Sequence, residues 1–300
     1  MENNASNSIT ESKTKGILAI LVSALGFAFM GMFVRLADDY GSPISPFQKS
    51  FFRNIVAFFV ALVFFAKAKE KNISLIRSSF PILILRSICG TLGVFGNFIA
   101  LSYIPIADAM ALNKTSPFFV VLFSWLFMKE KISLKQSLAI VISFMGALFI
   151  IKPGIAGDAL LPAICGFIGG IGAGGAYTAL RSLGKRGVDG KFIVLFFSAI
   201  SCIATLPFLI FDFNPMTGAQ LVILISAGLF ASIGQFAITA AYRYAKARDI
   251  ASFDYMGIVF SAILGFFAFN QKLDAFSIIG FILIASMGII LSFFSNVKTK

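Results

Sequence analysis

The sequence predicts an all-α integral membrane protein whose ten transmembrane helices form two inverted five-helix repeats. Three observations support this prediction. Of the 300 residues, 58% are hydrophobic and only 13% are charged, and the mean hydropathy is +0.93, whereas about a quarter of the residues of a soluble domain are charged. The apolar residues fall into ten long runs, and the two halves of the chain resemble each other weakly at a nearly constant offset.

Each apolar run is close to the ~20 residues that cross a bilayer as a helix. The runs are continuously apolar, which excludes barrel strands, because those alternate apolar and polar residues. Residues 1–15 are polar and are predicted to be a disordered cytoplasmic tail. The predicted spans are residues 16–36, 47–66, 80–101, 106–128, 134–151, 159–180, 192–211, 218–241, 249–269 and 275–295.

The loop charges predict the orientation of the chain. Of the 25 Lys and Arg, 18 fall on the side that holds both termini. Four lie in loops on the other side (Arg35, Lys49, Lys152, Lys272) and three lie within spans (Arg53, Arg86, Lys114). Because short cytoplasmic loops carry an excess of Lys and Arg, we expect a multi-pass protein of the cytoplasmic (inner) membrane with both termini in the cytoplasm. The net charge of +12 is thereby explained without nucleic acid as a partner.

An internal repeat sets the architecture. Residues 100–108 share Ala, Tyr and Asp with residues 241–249 at a constant offset of 141, and residues 34–36 match residues 180–182 at an offset of 146. Each half has five spans, an odd number, so the two copies enter the membrane from opposite sides. Inverted repeats are typical of secondary transporters, with the substrate site near the midplane between the halves. The predicted repeats are residues 16–151 and 159–295.

One stretch resembles a known family. From Tyr103 to residue 133 the chain is similar to the drug/metabolite transporter superfamily in its EamA-like branch, with a short turn, Pro117 inside the fourth span and Glu130 at its end. Arg53 matches an Arg often found early in the second span. The resemblance implies a ten-span carrier of small metabolites that works by alternating access. It also implies a central cavity lined by spans 1, 3 and 4, to which the repeat adds spans 6, 8 and 9.

The second copy departs from this pattern. Ile258 stands where the Pro would be, and Gln271 stands where the Glu would be. Gly257 is the remaining feature that would loosen the ninth helix.

Two charges deep inside spans are the main candidates for substrate binding. Lys114 lies roughly 12 Å into span 4 and Asp254 roughly 10 Å into span 9 at 1.5 Å per residue, which leaves about 8 Å between them in a ~30 Å hydrocarbon core. A Lys stem or a bound zwitterion, such as an amino acid, spans that gap. Asp254 is also the candidate for proton coupling, because an apolar environment favours the protonated carboxyl group. The alternative is a permanent bridge that only fixes the packing.

Other polar groups within spans are weaker candidates. Arg53 and Arg86 either contact substrate or extend to the nearer membrane surface. Gly166, Gly170 and Gly174 in span 6 indicate close helix packing or a sliding surface. Side chains that either line the cavity or bond between helices are Asn97, Asn113, Gln235, Thr239 and Tyr242. The predicted substrate-binding set is therefore Lys114, Asp254, Asn113, Asn97, Tyr242, Gln235 and Arg53.

These features predict a secondary active transporter of an amino-acid-like, zwitterionic or amphipathic solute. A nucleoside, a cofactor such as S-adenosylmethionine or riboflavin, and hydrophobic drugs remain alternatives, as do import and export. The chain contains no His, which excludes an H-E-x-x-H zinc enzyme, and it has no P-loop for ATP. We expect no enzyme activity, no cofactor and no metal. The expected partners are the substrate and membrane lipid, and the expected state is a monomer or weak homodimer.

Overall fold

A computed structural model describes residues 12–68, 72–103, 112–151, 160–211, 213–269 and 275–296. In these segments the chain is helical and contains no strand. The ten long helices are α1 (Lys13–Leu36), α2 (Pro46–Ala66), α3 (Phe80–Tyr103), α4 (Ser116–Met128), α5 (Leu134–Ile151), α6 (Leu160–Lys185), α7 (Gly190–Phe211), α8 (Gly218–Tyr244), α9 (Met256–Phe269) and α10 (Ala275–Asn296). Two short helices, Ile73–Ser78 and Ala247–Ile250, and two 3-10 turns, Ala37–Tyr40 and Ala251–Tyr255, connect them.

Each long helix falls on one of the predicted spans. Seven helical segments of the described residues are long and apolar enough to cross a membrane, and they contain α1, α2, α3, α6, α7, α8 and α9. The apolar helices Ser116–Met128, Leu134–Phe149 and Ile278–Met287 are shorter. The chain is therefore an all-helical, multi-pass membrane protein.

The first helix begins earlier than the sequence suggested. The Ser12 side chain accepts a hydrogen bond from the Lys15 amide, so Ser12 caps the N-terminus of α1. Lys13 and Lys15, which were expected in the polar tail, therefore belong to the first turn of this helix. The remainder of the predicted tail, residues 1–11, lies outside the described residues.

The helix pairing follows the repeat. The most extensive contacts join α3 with α6, α1 with α8, α2 with α7, and α5 with α10. The counterparts in the two halves are α1 and α6, α2 and α7, α3 and α8, α4 and α9, and α5 and α10. When each helix is exchanged for its counterpart, the first two pairs interchange and the last two pairs remain the same. The contacts of α4 with α6 and of α1 with α9 interchange in the same way. This symmetry confirms the predicted fold class, while the exact repeat boundaries, 16–151 and 159–295, stay a prediction.

Glycines allow α3 and α6 to approach at backbone distance. A Cβ placed at Gly96 would collide with the carbonyl oxygen of Cys165 and the backbone of Gly169. The symmetry-related pair behaves alike, since a Cβ at Gly26 of α1 would lie 2.9 Å from the amide nitrogen of Gly234 in α8. Small residues at such contacts let helix backbones pack closely, and these two contacts hold the halves together.

A second face of α6 carries the glycines at four-residue spacing. A Cβ at Gly170 would collide with Oγ1 of Thr115, and one at Gly174 would collide with Phe119 at the start of α4. A Cβ at Gly166 would lie 2.9 Å from the Cβ of Ala100 in α3. These positions support the close-packing interpretation of the glycine stripe.

Candidate functional site

The two charges that the sequence placed in spans 4 and 9 form an ion pair. Lys114 Nζ lies 3.3 Å from Asp254 Oδ2 and 3.2 Å from the Asp254 carbonyl oxygen. The two side chains are only 16% and 10% exposed. This contact agrees with the alternative in which the Lys stem itself spans the estimated separation of about 8 Å between the two positions. The structure brings these two groups into direct contact.

Both partners of this pair lie where a helix is interrupted. Lys114 is in a turn immediately before α4, and Pro117 lies in the first turn of that helix, where its missing N–H costs no intrahelical bond. Asp254 lies in the 3-10 turn Ala251–Tyr255 immediately before α9. The second break thus forms without a Pro, and its turn ends two residues before Gly257.

A hydrogen bond joins the two breaks. The Tyr255 hydroxyl donates to the backbone carbonyl of Lys114 at 3.0 Å. A Cβ added at Gly257 would lie 3.5 Å from Lys114 Nζ, which is an ordinary contact distance, so Gly257 lies beside the ammonium group. The interrupted helices therefore meet through one ion pair and one backbone-directed hydrogen bond.

Two arginines lie buried inside the bundle, which does not fit the alternative in which they extend to a membrane surface. Arg86 of α3 is 2% exposed and Arg53 of α2 is 9% exposed. The guanidinium of Arg86 lies over the ring of Phe197, 4.1 Å from its centre, and that of Arg53 lies 5.8 Å from the centre of Phe27. Nε of Arg53 and both Nε and Nη1 of Arg86 are buried without a hydrogen-bond partner.

A stacked tyrosine pair lies in the same region of the bundle as the arginines and the ion pair. The rings of Tyr177 in α6 and Tyr242 in α8 stack at 5.1 Å between centres, with planes 13° apart. Tyr177 lies within electrostatic range of Arg53, Arg86 and Asp254. Sequence reasoning selected Tyr242 but missed Tyr177. The feature of the sequence that could have identified Tyr177 is its type, a polar aromatic residue within the glycine-rich helix α6.

The other predicted site residues are placed less centrally or satisfied locally. Thr239 donates its hydroxyl proton to the carbonyl of Gln235 one turn earlier in α8, at 2.7 Å. Gln235 is 5% exposed, and its Nε2 is buried without a partner. Asn97 is half-buried at the α3–α6 contact, and Asn113 is half-buried beside Lys114.

A second charge cluster lies where α4 and α6 end. Oε1 of Glu130 accepts from Arg181 Nε at 3.2 Å and from Lys185 Nζ at 3.0 Å. Arg181 is 1% exposed and lies inside α6, so its assignment to a loop was wrong. The loop-charge count therefore included one arginine that is packed within the bundle.

The opposite end of the bundle is held by polar contacts between the α1–α2 and α7–α8 connections. Gln220 is fully buried and donates to the carbonyls of Ala37 and Ser42 at 3.1 and 2.9 Å. Gln48 donates to the carbonyl of Asn214 at 2.9 Å. These contacts link one half of the chain to the other.

Known membrane proteins have sequences similar to this chain over most of its length. The sequence profile of the EamA-like transporter family matches residues 14–152. A pseudopaline exporter of Pseudomonas aeruginosa (strain UCBPP-PA14) is 31% identical over 278 residues, which is 92% of this chain and 95% of that protein. The chain belongs to the EamA-like transporter family. It is accordingly a membrane transporter and not an enzyme.

More distant relatives agree with this membership. A riboflavin transporter of Rhizobium johnstonii is 28% identical, and the alignment covers 90% of this EamA-like chain and 88% of that transporter. Human solute carrier family 35 member G1 is 26% identical, and the alignment covers 85% of this chain and 73% of the human protein. A crystal structure superposes with a TM-score of 0.82 over 96% of this chain and 100% of the other at 16% identity, which shows a shared fold.

Proposed function

We propose that this EamA-like protein is a secondary active transporter that carries small solutes bearing both an amine and a carboxylate across the cytoplasmic membrane. The observation that carries the proposal is the Lys114–Asp254 ion pair, since each partner lies at the break that begins one of two symmetry-related helices. Substrate sites of inverted-repeat transporters lie at such interrupted helices near the midplane. The names of the relatives, an exporter and a riboflavin transporter, support transport but not this solute class.

The pair has the chemistry that an exchange of partners requires. A solute carboxylate would take the place of Asp254 at the Lys114 ammonium, and a solute amine would take the place of Lys114 at the Asp254 carboxylate. Each buried charge keeps an opposite charge nearby throughout, which avoids the cost of several kcal/mol of leaving an ion unpaired in a low-dielectric interior. Amine and carboxylate together, rather than either alone, satisfy both residues.

Asp254 is the proposed proton-coupling group. A proton on its carboxyl group would remove its attraction for Lys114 and open the pair without a solute. In the same proposal, the two halves rock about the α3–α6 and α1–α8 contacts and expose the pair to one side of the membrane at a time. The distribution of Lys and Arg in the loops supports a cytoplasmic location for both termini.

Counterflow in proteoliposomes tests the proposal. We would preload vesicles with each member of an amino-acid panel and measure saturable uptake of the same labelled solute. Lys114→Met and Asp254→Asn should each abolish counterflow at normal levels of folded protein, and the double variant should stay inactive. Lys49→Met is the matched control, because Lys49 pairs with Asp38 at 2.7 Å at the end of the bundle, and it should transport normally.

Two results would contradict the proposal. Normal flux in both single variants would show that the pair is structural. Recovery of flux in the double variant would show that the pair only fixes packing, since removing both charges relieves a structural defect.

A further inference from the structure

The charges that the structure describes inside the bundle do not balance. Among the described residues, the cations Arg53, Arg86 and Lys114 are accompanied by one carboxylate, Asp254, which is bound to Lys114. The other described acidic residues interact elsewhere or are exposed: Asp38 with Lys49, Glu130 with Arg181 and Lys185, Asp189 with Lys191 and Arg243, Asp249 with Gln136 and Arg248, and Asp39 in an exposed turn. Two buried cations, Arg53 and Arg86, are therefore left without a described carboxylate.

Their aromatic neighbours compensate for only part of this burial. A ring interacts with a cation that lies over its face, as Phe197 does with Arg86 and Phe27 with Arg53. The N–H donors of a guanidinium project in its own plane as a rigid fork, and a ring stacked on that plane accepts none of them. The unpartnered Nε and Nη1 of Arg86 and Nε of Arg53 are such donors.

The two arginines belong to one region of the bundle. Arg86 lies within electrostatic range of Arg53 and of Tyr177, and Tyr177 in turn lies within range of Asp254. A Cβ at Gly90, one turn after Arg86, would collide with Arg86 Nη1 and with Phe197. Gly90 thus provides the space in which the guanidinium lies on its ring. The helices of both arginines, α2 and α3, pack against α7, which carries Phe197.

We propose that Arg53 and Arg86 form an anion subsite for carboxylate groups of the transported solute, which therefore has a net negative charge of about two. The inference rests on the proposed function and narrows its substrate class to amino compounds with more carboxylates than amines. A carboxylate matches the guanidinium fork with two parallel hydrogen bonds. Two such groups would use the buried donors and remove the repulsion between the arginines, while the amine pairs with Asp254.

A purely structural role fits the arginines poorly. A buried ion is retained for stability only when a partner compensates its desolvation, and apolar residues of similar volume are often equal or better. A bound anion supplies the missing compensation, but only during part of a transport cycle. The subsite therefore predicts a protein that is less stable when empty than its apolar variant.

Thermal unfolding of the purified protein in detergent tests this prediction. The probes are sodium succinate, glutarate and citrate, with putrescine as a cation and inorganic phosphate as the other anion, all against sodium chloride of equal ionic strength. At least one carboxylate probe should raise the unfolding midpoint in a saturable way. If phosphate stabilises the protein and no carboxylate does, the subsite binds phosphate compounds and the carboxylate proposal is overturned. If none of the anions stabilises the protein, the proposal is also overturned.

Variants separate binding from folding. Arg86→Met and Arg53→Met should raise the unfolding midpoint of the empty protein and weaken carboxylate binding at least tenfold, and Arg86→Lys should bind with intermediate affinity. Arg243→Met is the matched control, because Arg243 also has a buried, unpartnered Nε but interacts with Asp189. It should leave binding unchanged. A lower midpoint together with unchanged binding in both Met variants would show that the arginines are structural.

Transport measured on the same protein separates this inference from the proposed function. Saturable counterflow of neutral amino acids, with no effect of carboxylate probes, would keep the transporter proposal and overturn the anion subsite. Carboxylate binding that depends on both arginines, without counterflow of any panel member, would keep the subsite and overturn the proposed transport of these solutes.

Discussion

The cluster of Glu130, Arg181 and Lys185 gives a prediction whose magnitude follows from the geometry. Glu130 is 7% exposed and its Oε1 binds both cations, at 3.2 and 3.0 Å. Unit charges at the 3.2 Å distance attract each other by about 5 kcal/mol at an effective dielectric constant of 20. Removing one partner of a buried pair costs about 3–5 kcal/mol in measured cases. We expect Glu130→Gln to lower the free energy of unfolding by about that amount.

The same cluster supplies its own controls. Lys185 is 41% exposed at its side chain, so Lys185→Met should cost less than about 1 kcal/mol. The destabilisation by Arg181→Met should lie between those of Glu130→Gln and Lys185→Met, because this change removes a buried cation but leaves Glu130 bound to Lys185. The expected order is therefore set by burial and not by the number of charges removed.

Unfolding in mixed micelles with increasing sodium dodecyl sulfate, followed by circular dichroism, measures these differences. The double variant Glu130→Gln with Arg181→Met should be more stable than the sum of the single effects predicts, since the two residues share one interaction. If Lys185→Met costs as much as Glu130→Gln, the reasoning from burial is refuted.

Three further predictions concern packing, the connections and topology. Gly96→Ala should destabilise the protein by about 1–3 kcal/mol through overpacking, whereas Gly31→Ala, where an added Cβ meets nothing within 4 Å, should be neutral or stabilising in the same unfolding assay. Gln220→Ala should cost about 1–3 kcal/mol, because it removes the donor to the buried carbonyl of Ala37 and to the partly buried carbonyl of Ser42; a change below about 0.5 kcal/mol would contradict this estimate. Cysteines placed in the 67–77 loop should resist labelling from outside intact cells, and efficient labelling would reverse the proposed orientation.

The sequence was sufficient for the architecture and for one part of the site. Ten apolar runs and the 141-residue offset predicted the ten helices and their inverted pairing. Opposite charges at near-equivalent repeat positions also predicted that Lys114 and Asp254 would lie together. The sequence left open whether they bind each other or a solute between them, because helix arithmetic assumes 1.5 Å per residue and does not show the breaks at which both residues lie.

Other parts of the site depend on tertiary contacts that one sequence does not contain. Arg53 and Arg86 lie close enough to the ends of their helices to reach a membrane surface, yet both are buried with their guanidinium groups over Phe27 and Phe197. Arg181 is followed by other basic residues, so its sequence context is that of a loop. Its burial depends on Glu130, which is 51 residues away in the chain.

The excess of buried positive charge in the described bundle also has an electrical consequence. Moving one elementary charge through a membrane potential changes its energy by about 2.3 kcal/mol per 100 mV. An empty site with two uncompensated cations would be drawn towards the negative cytoplasmic side by up to about 4.6 kcal/mol at that voltage. A site filled by a solute of opposite charge would be indifferent to the voltage. If the proposed anion subsite exists, the membrane potential would favour the state in which the empty site faces the cytoplasm. A resting cell would then drive such a transporter in the direction of export.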